Sequence, residues 1–200
     1  MDLWNILQAK EWAAYKESPV GVFSVDGLRG AEITGEIINN TIPDGICLDV
    51  GCGVLETPYY MKVADSVEFF GIDPYKEVKR RTFVFKEGYA ENLPWEDKFF
   101  DGVLFATSLD HVKSPAASIS EAHRVLKDDG HLFVWVSLRK NDAQFRKWES
   151  APKPCQYDKY HMWAFNKRSL ISLMNGFKLD QCIKVNKRGG ESVFVLKKIL

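Results

Sequence analysis

The sequence predicts an α/β fold: a three-layer sandwich with a mostly parallel seven-stranded sheet that ends in an antiparallel C-terminal hairpin. Short, mostly apolar runs alternate with helical segments between residues 45 and 138, as in a parallel sheet covered on both faces. A glycine-containing loop follows the first of these runs. Near the end of the chain, two β-prone runs flank a short turn and can pair only as an antiparallel hairpin.

Length and charge narrow the classes of protein to which the chain can belong. Its 200 residues suit one domain, residues 1–200, and its 27 Lys and Arg balance its 27 Asp and Glu. No net charge draws the chain towards nucleic acid or an anionic membrane. The N-terminus does not resemble a signal peptide, and no apolar run is long enough to span a bilayer. We therefore expect a cytoplasmic protein with neither a nucleic-acid nor a membrane partner.

Two helices are predicted before the first strand. Residues 3–17 mix apolar side chains with good helix formers, and Ser18-Pro19 ends this helix. Residues 29–40 form the second helix, which is closed by the turn at 43–45. We expect the N-terminal helices, within residues 1–40, to cover the functional site.

Alternating strands and helices follow. Apolar and β-branched runs predict the first five strands at 46–50, 67–72, 82–85, 101–106 and 131–138. The helices between them are predicted at 56–64, 75–81 and 114–126, and the last has a proline in its first turn. A further helix at 166–175 precedes the hairpin strands at 178–185 and 192–197. The segment 139–165 is rich in charge, proline and aromatic residues, which indicates an insertion or lid within the domain.

The loop after the first strand, within LDVGCGVLE at 48–56, indicates a ligand site. Ligands of open α/β sheets bind at the carboxyl ends of the strands, and Gly51 and Gly53 allow a sharp turn there. Glu56 falls in the first turn of the predicted next helix, where it would repel the pyrophosphate of a dinucleotide. A cationic cofactor such as S-adenosylmethionine meets no such conflict.

Asp73 is the second candidate ligand-binding residue. It ends the second predicted strand, 20 residues after Gly53, where a carboxylate can accept both ribose hydroxyls of an adenosine. Alone, it could equally be a turn former ahead of Pro74. Together with the glycine loop, the spacing favours the binding role.

Four motifs then occur in order along the chain: LDVGCG at 48–53, GIDP at 71–74, EGYAENLPWEDKFFDGVLFATSLDHV at 87–112 and EAHRVLKDDGHLFVWV at 121–136. Together they resemble the class I S-adenosylmethionine-dependent methyltransferases over residues 40–200. The last two motifs resemble those of a subgroup that methylates small molecules. The resemblance implies a Rossmann-like fold, S-adenosylmethionine as the cofactor and a small-molecule methyl acceptor.

The resemblance also implies a cofactor-binding set. For the methionine end and the sulfonium, the implied residues are Asp49, Gly51, Cys52, Gly53 and Thr107, with Arg29 as the candidate for the cofactor's carboxylate. For the adenosine end they are Asp73, Pro74, Tyr89, Ala90 and Glu91. The chain departs from the family's pattern at Leu55, where the family has a third loop glycine, and at Tyr89, where it usually has an aspartate.

Candidate catalytic residues follow the fourth strand and the predicted lid. His111 is placed to deprotonate an acceptor, and Asp110 to orient it or to bind an amine. His161 is a second candidate, in an aromatic stretch that can exclude water. The alternatives are that Asp110 and His111 only cap their loop and that the stretch around His161 seals the sheet edge. The four cysteines form no metal-ligand grouping with the histidines, and no metal is expected.

Four functions remain under consideration. The leading one is methyl transfer to an oxygen or nitrogen of a small molecule. The departures at Leu55 and Tyr89 motivate a non-catalytic cofactor-binding or protein-interaction module. A nicotinamide-dependent oxidoreductase conflicts with Glu56. A protein or RNA acceptor is the fourth, although the basic groups at 79–81 and 187–188 are interpreted as solvated faces and the DNA-methylating Asn/Asp-Pro-Pro-aromatic pattern is absent.

Overall fold

The computed structural model describes residues 3–17, 25–78, 80–138, 160–185 and 190–199. Two helices, α1 (Leu3–Glu17) and α2 (Val25–Thr41), precede the sheet. Three shorter helices follow, α3 (Tyr59–Val63), α4 (Pro115–Val125) and α5 (Lys167–Ser172). Most of the predicted insertion, residues 139–159, lies outside the described residues. Within the described part, no helix has the length and apolar character needed to cross a membrane.

Seven strands form one sheet, as predicted. They are β1 (Ile46–Val50), β2 (Glu68–Asp73), β3 (Val84–Glu87), β4 (Phe100–Ala106), β5 (Leu126–Ser137), β6 (Phe177–Lys184) and β7 (Glu191–Lys198). Their order is β3-β2-β1-β4-β5-β7-β6. All neighbours are parallel except β7, which is antiparallel to both β5 and β6. The strand order reverses beside β1, and this position favours a ligand site at the carboxyl ends of β1 and β4.

Side chains of successive strand residues pack into two apolar clusters, one on each face of the sheet. Leu48 and Val50 belong to the cluster that includes α4 and α5. Cys47 and Leu104 belong to the other, which includes α2 and α3. This alternation follows from the two-residue period of a strand, and it explains why the β1 run is apolar almost throughout.

The structure corrects several predicted boundaries. The helix predicted at 56–64 is limited to α3, and no helix occurs in the described residues of 75–81. In that loop, side chains take the backbone groups of Tyr75: its N–H donates to Asp73 Oδ1 at 2.7 Å and its carbonyl accepts from Arg81 Nη2 at 3.4 Å. Strand β3 begins two residues later than predicted. Strand β5 begins at Leu126 rather than 131, with a register shift opposite Phe100.

Candidate active site

A cavity of about 210 Å³ lies at the carboxyl ends of β1, β2 and β4. The glycine loop lines one side, and the segments after β2, β3 and β4 line others. Helix α1 contributes one face to the same cavity, with Trp4, Gln8, Glu11, Trp12 and Tyr15. The spacing of these residues is that of a single helix face.

The glycine loop has the conformation that the two glycines allow. Gly51 has a φ of +79° and Gly53 a φ of +64°, in the left-handed region that other residues avoid. A Cβ on Gly51 would lie 2.5 Å from Cβ of Ser108, whose hydroxyl donates to the carbonyl of Val50. A Cβ on Gly53 would meet nothing within 4 Å. Gly51 is therefore required by packing against the loop after β4, while Gly53 borders open space that a ligand can fill.

Asp73 joins the end of β2 to this loop. Its Oδ2 accepts from the N–H of Gly53 at 2.9 Å and its Oδ1 from the N–H of Tyr75 at 2.7 Å. Burial raises the pKa of Asp73 to about 6, against the lowering effect of those two N–H donors and of Arg81. A carboxylate oxygen can accept more than one hydrogen bond, so both oxygens of Asp73 keep capacity for ribose hydroxyls.

Asp49 lies beneath the loop and does not itself line the cavity. It is fully buried, and Oδ2 accepts a 2.7 Å hydrogen bond from Tyr60 Oη. Its Oδ1 has no hydrogen-bond partner within the described part of the chain. Burial raises the pKa of Asp49 to about 7, although the Tyr60 hydrogen bond opposes this. An unsatisfied buried carboxylate oxygen beneath the loop fits a role towards a cationic amino group through an intervening water.

Arg81 is a site residue that the sequence interpretation missed. Its Nη2 donates to the carbonyl of Gly53 at 2.7 Å, and its Nη1 lies 3.6 Å from Sγ of Cys52, a buried residue of the cavity wall. The guanidinium also stacks over Phe85 at 4.1 Å from the ring centroid. Arg81 was grouped with a solvated basic run. The aromatic residues at alternate positions after it, Phe83 and Phe85, were the available signal.

The predicted adenine-side residues Tyr89, Ala90 and Glu91 line the cavity. Tyr89 is 47% exposed and contacts Trp4 edge-on at 5.7 Å between ring centroids. Lys113 Nζ lies 4.4 Å from the Trp4 centroid and 5.0 Å from that of Tyr89. Ala90 is buried in the wall, and Glu91 Oε1 accepts from the N–H of Ser114 at 2.9 Å.

Aromatic residues of α1 also cover the loop that follows Asp73. Trp12 and Tyr15 contact Tyr75, with ring centroids 5.9 Å and 6.5 Å away. Pro74 lines the cavity beside them. The helix thus closes over the segment where the adenosine of a cofactor is expected.

Thr107 directly follows β4 and lines the cavity in a strained conformation. Its φ is +56°, which is uncommon for a β-branched residue. Its N–H donates to the carbonyl of Trp135 at 2.8 Å, which holds this turn against β5. Backbone strain of this kind is often found at functional sites.

His111 follows this turn and is paired with a residue of α1 that the sequence interpretation did not single out. Nδ1 of His111 lies 3.1 Å from Oε2 of Glu11. Glu11 also accepts from Tyr15 Oη at 2.9 Å and from Gln8 Nε2 at 3.3 Å. Burial raises the pKa of Glu11, but its contacts with His111 and Tyr15 outweigh burial and lower that pKa overall.

Asp110 and His161 complete a cluster with His111. His111 Nε2 lies 3.8 Å from Asp110 Oδ1, and His161 Nε2 lies 3.7 Å from Asp110 Oδ2. The centroids of the two imidazole rings are 4.5 Å apart. Burial raises the pKa of Asp110, against the opposing effect of both histidines. Potential metal-ligand atoms of the three residues all lie within 4.8 Å of one another. The sequence interpretation expected no metal, because it weighed cysteine spacing and did not bring His161 next to Asp110.

Two other site arguments from the sequence need correction. Arg29 is exposed and does not line the cavity. The next residue, Gly30, packs against the ring of Trp135, so Arg29 lies on another side of α2. Glu56 precedes α3 rather than lying in its first turn, and it pairs at the surface with Arg80 at 3.2 Å. Its charge therefore does not act on that helix N-terminus as argued.

The comparisons with known proteins agree with this geometry. Residues 48–134, from the glycine loop to β5, match the family described as methyltransferase domain. The matched region, which is less than half of the chain, and the fold are those of the class I S-adenosylmethionine-dependent methyltransferases. The predicted cofactor, S-adenosylmethionine, is thereby confirmed, and the orphaned oxygen of Asp49 and the paired oxygens of Asp73 suit its amino group and its ribose.

Solved methyltransferase structures share the fold. The 1,6-didemethyltoxoflavin-N1-methyltransferase of Burkholderia thailandensis matches with a TM-score of 0.74 and 14% identity, over 98% of this chain and 88% of that one. A protein solved in complex with the Trm112 methyltransferase activator of Haloferax volcanii matches with a TM-score of 0.73 and 12% identity, over 98% of each chain.

Sequence relatives match a shorter region. The demethylmenaquinone methyltransferase of Symbiobacterium thermophilum is 33% identical over 105 residues, which are 52% of this chain and 37% of that enzyme. In each curated relative that it matches, the chain spans less than half of the relative's length.

Proposed function

We propose that the protein transfers a methyl group from S-adenosylmethionine to an oxygen or nitrogen atom of a small molecule by in-line displacement. One observation supports this most directly. The pair of Glu11 and His111 lines the same cavity as the glycine loop and Asp73. A group able to act on an acceptor proton thus shares a cavity with the cofactor-binding residues.

The cofactor, when bound, supplies a methyl group on a positively charged sulfur, and the protein's main task is alignment. Asp73 holds the ribose, and Asp49 balances the positive amino end. Gly51 and Gly53 let the methionine moiety approach the backbone, with Cys52 in the wall beside them. Pro74, Tyr89, Ala90 and Glu91 border the adenine, and Thr107 faces the sulfonium.

On the acceptor side, the proposed catalytic residues are His111, Asp110 and His161. An acceptor O–H or N–H must be weakened as the new bond forms, and His111 is the member of this cluster that lines the cavity. Helix α1 covers it, because Trp4 Nε1 donates to the carbonyl of His111 at 2.7 Å. Such a cover keeps water away from the reacting atoms.

Two observations support a small acceptor. The cavity is about 210 Å³ and is partly closed by α1, so a protein side chain or a base would have to enter beneath that helix. In addition, the Burkholderia thailandensis methyltransferase of the same fold was solved with 1,6-didemethyltoxoflavin and S-adenosylhomocysteine bound. We infer that the acceptor reaches the methyl group in the part of the cavity between His111 and Trp135. We also propose that the protein works in the cytoplasm.

Calorimetry and a turnover assay test the proposal. S-adenosylhomocysteine should bind, and Asp73→Ala should abolish that binding, whereas Asp65→Asn, at an exposed turn, should leave it unchanged. A panel of small alcohols, phenols and amines should include one that is methylated with release of S-adenosylhomocysteine. Absence of binding by either form of the cofactor would contradict the proposal.

A second candidate is a module that binds the cofactor without catalysis and acts through a protein partner. Leu55 and Tyr89, which both line the cavity, depart from the family's pattern, and a protein of this fold is known in complex with a methyltransferase activator. Turnover that His111→Gln slows would exclude this candidate. Binding of the cofactor with no turnover on the panel would favour it, or a protein or RNA acceptor.

A further inference from the structure

We propose that Asp110, His111 and His161 bind a first-row divalent transition-metal ion on the acceptor side of the cavity. This inference rests on the proposed function, because it states how the acceptor is activated. Two imidazole nitrogens and one carboxylate oxygen are a ligand set that zinc, cobalt, manganese and iron accept, and three protein ligands leave positions open for a substrate.

The distances fit shared ligands better than direct hydrogen bonds. The two contacts from Asp110 to the imidazoles, 3.8 Å and 3.7 Å, exceed the usual N–H···O range of about 2.7–3.2 Å. Ligand atoms about 2.0–2.2 Å from a common ion in tetrahedral geometry are separated by about 3.3–3.6 Å. Small side-chain shifts would therefore close the three residues around one ion.

Asp110 supplies an independent observation. It is 6% exposed, and its Oδ1 has no hydrogen-bond partner among the described residues. A buried carboxylate oxygen that neither water nor a donor satisfies is costly. A cation next to Oδ1 would remove this cost.

Glu11 has the position of the outer carboxylate found behind many metal-binding histidines. Its Oε2 lies 3.1 Å from Nδ1 of His111, so a small rotation of the imidazole would let Glu11 accept a proton carried on Nδ1 and would leave Nε2 unprotonated towards Asp110. Glu11 also accepts hydrogen bonds from Gln8 and Tyr15. With that contact aligned, Glu11 would favour the tautomer of His111 that can bind an ion through Nε2.

Backbone hydrogen bonds hold the two distant segments together. The carbonyl of Asp110 accepts from the N–H groups of Met162 and Trp163, each at 2.9 Å. Trp163 Nε1 also donates to the carbonyl of Val112 at 2.8 Å. His161 is therefore presented to Asp110 by contacts that do not depend on its own imidazole.

Such an ion would favour an oxygen acceptor, namely a small molecule with a hydroxyl that can become a further ligand. Coordination would lower the pKa of that hydroxyl, and its proton would pass to solvent while the acceptor enters the cavity. The oxygen then forms the new bond to the methyl carbon as the carbon–sulfur bond breaks. The electron pair of that bond stays on sulfur, so the products are the methyl ether and S-adenosylhomocysteine.

The test uses the chain after chelator treatment. Cobalt(II) should bind once per chain and give visible absorption bands, and zinc should bind in calorimetry. Asp110→Asn and His161→Gln should each weaken cobalt binding at least tenfold. His131→Gln, a half-buried histidine at the start of the β5 apolar run, should not. Binding of S-adenosylhomocysteine by each variant reports that it is folded. Wild-type protein that binds neither ion, or binds them no better than the variants, overturns the inference.

A turnover assay separates this inference from the proposed function. Chelation should lower methylation of a hydroxyl acceptor at least tenfold, and added metal should restore it. If chelation leaves turnover unchanged while His111→Gln lowers it, the metal inference fails and His111 acts as the base itself. If neither S-adenosylmethionine nor S-adenosylhomocysteine binds, the proposed function fails whatever the cobalt result.

Discussion

The backbone N–H of Gly53 donates a 2.9 Å hydrogen bond to Oδ2 of Asp73, 20 residues further along the chain. The loop after β1 and the end of β2 are therefore one unit, and the carboxylate that should bind the ribose also fixes the loop that should bind the methionine moiety. Changes at Asp73 will act on both parts of the cofactor.

Cofactor affinity should depend on pH through Asp73. Its pKa is raised to about 6 in the unliganded protein, and ribose hydroxyls favour the ionised form, which accepts hydrogen bonds only. Binding therefore favours loss of the proton, so affinity for S-adenosylhomocysteine rises with pH up to that value and then levels off. We expect about a tenfold gain between pH 5 and pH 8 from this group, because affinity follows its ionised fraction.

Asp73→Asn is the matched variant, because asparagine cannot ionise. Calorimetry should show that the variant binds S-adenosylhomocysteine more weakly than the wild type at both pH 5 and pH 8. The ratio of its affinity at pH 8 to its affinity at pH 5 should be smaller than the wild-type ratio by about that tenfold factor. An unchanged ratio would show that another group controls the pH dependence.

Asp49 should make the unliganded protein less stable as pH rises. Its pKa is raised from an unfolded value of 3.8 to about 7, so the folded state favours the neutral acid. The stability from this group is fully present below pH 4 and is lost as pH rises through about 7. Asp49→Asn removes the ionisation and keeps an oxygen for Tyr60. At pH 8 the variant should be more stable by a few kcal/mol, on the order of 1.4 per pKa unit.

Thermal unfolding at pH 4 and pH 8 measures this effect. The difference between variant and wild type should shrink to about 0.6 kcal/mol at pH 4, where Asp49 is neutral in the folded state and only partly ionised in the unfolded state. Asp65→Asn, at an exposed position, should change neither curve. Equal stability of Asp49→Asn and wild type at pH 8 would refute the assignment.

Arg81→Lys should weaken cofactor binding, although it keeps the positive charge. Lysine has one nitrogen, whereas Arg81 places Nη2 on the carbonyls of Gly53 and Tyr75 and Nη1 near Sγ of Cys52. Lysine also stacks less well on Phe85. We expect a loss of about tenfold in affinity for S-adenosylhomocysteine, equal to about 1.4 kcal/mol. Arg80→Lys is the control, because Arg80 is exposed and pairs with Glu56 at the surface. Equal effects of the two substitutions in calorimetry would show that charge alone matters.

Alanine at the two loop glycines should separate folding from binding. In Gly51→Ala, the new Cβ meets Ser108 at 2.5 Å, so the variant should lose stability by more than the roughly 1–2 kcal/mol of left-handed strain. In Gly53→Ala the new Cβ enters open space, so only that strain applies to folding, while cofactor affinity should fall. Denaturant unfolding and calorimetry on both variants measure the two effects. A larger stability loss for Gly53→Ala would contradict the packing explanation.

Sequence patterns predicted the sheet well because local signals define it. The apolar run at 46–50 has the bounds of β1, and turn residues mark the ends of β2 and β4. The helix predicted at 75–81 is absent from the described residues, and the carbonyl of Tyr75, which the first turn of such a helix would use, accepts from Arg81 instead. No local pattern shows that a side chain six residues away will take this carbonyl.

The residues of the site likewise fall into those that local patterns predicted and those that they did not. The glycine loop and Asp73 were predicted because their spacing along two adjacent strands is regular. Glu11, paired with His111, and Arg81 were missed because their contacts join segments far apart in the chain. His161 was singled out from its sequence context, but its place beside Asp110 depends on how the segment after residue 160 docks. Arg29 was misplaced, because its neighbour Gly30 is the side of α2 that faces the sheet.

The contacts of Arg81 with Gly53 and Phe85 constrain how the sequence can evolve at positions 81 and 85. A substitution at position 81 leaves a loop carbonyl without its donor and the ring of Phe85 without its stacked cation. Descendants should therefore tolerate a new residue at 81 mainly when position 85 has also changed. Position 80, one residue away, should drift independently. In an alignment of homologues, we expect the residues at positions 81 and 85 to covary.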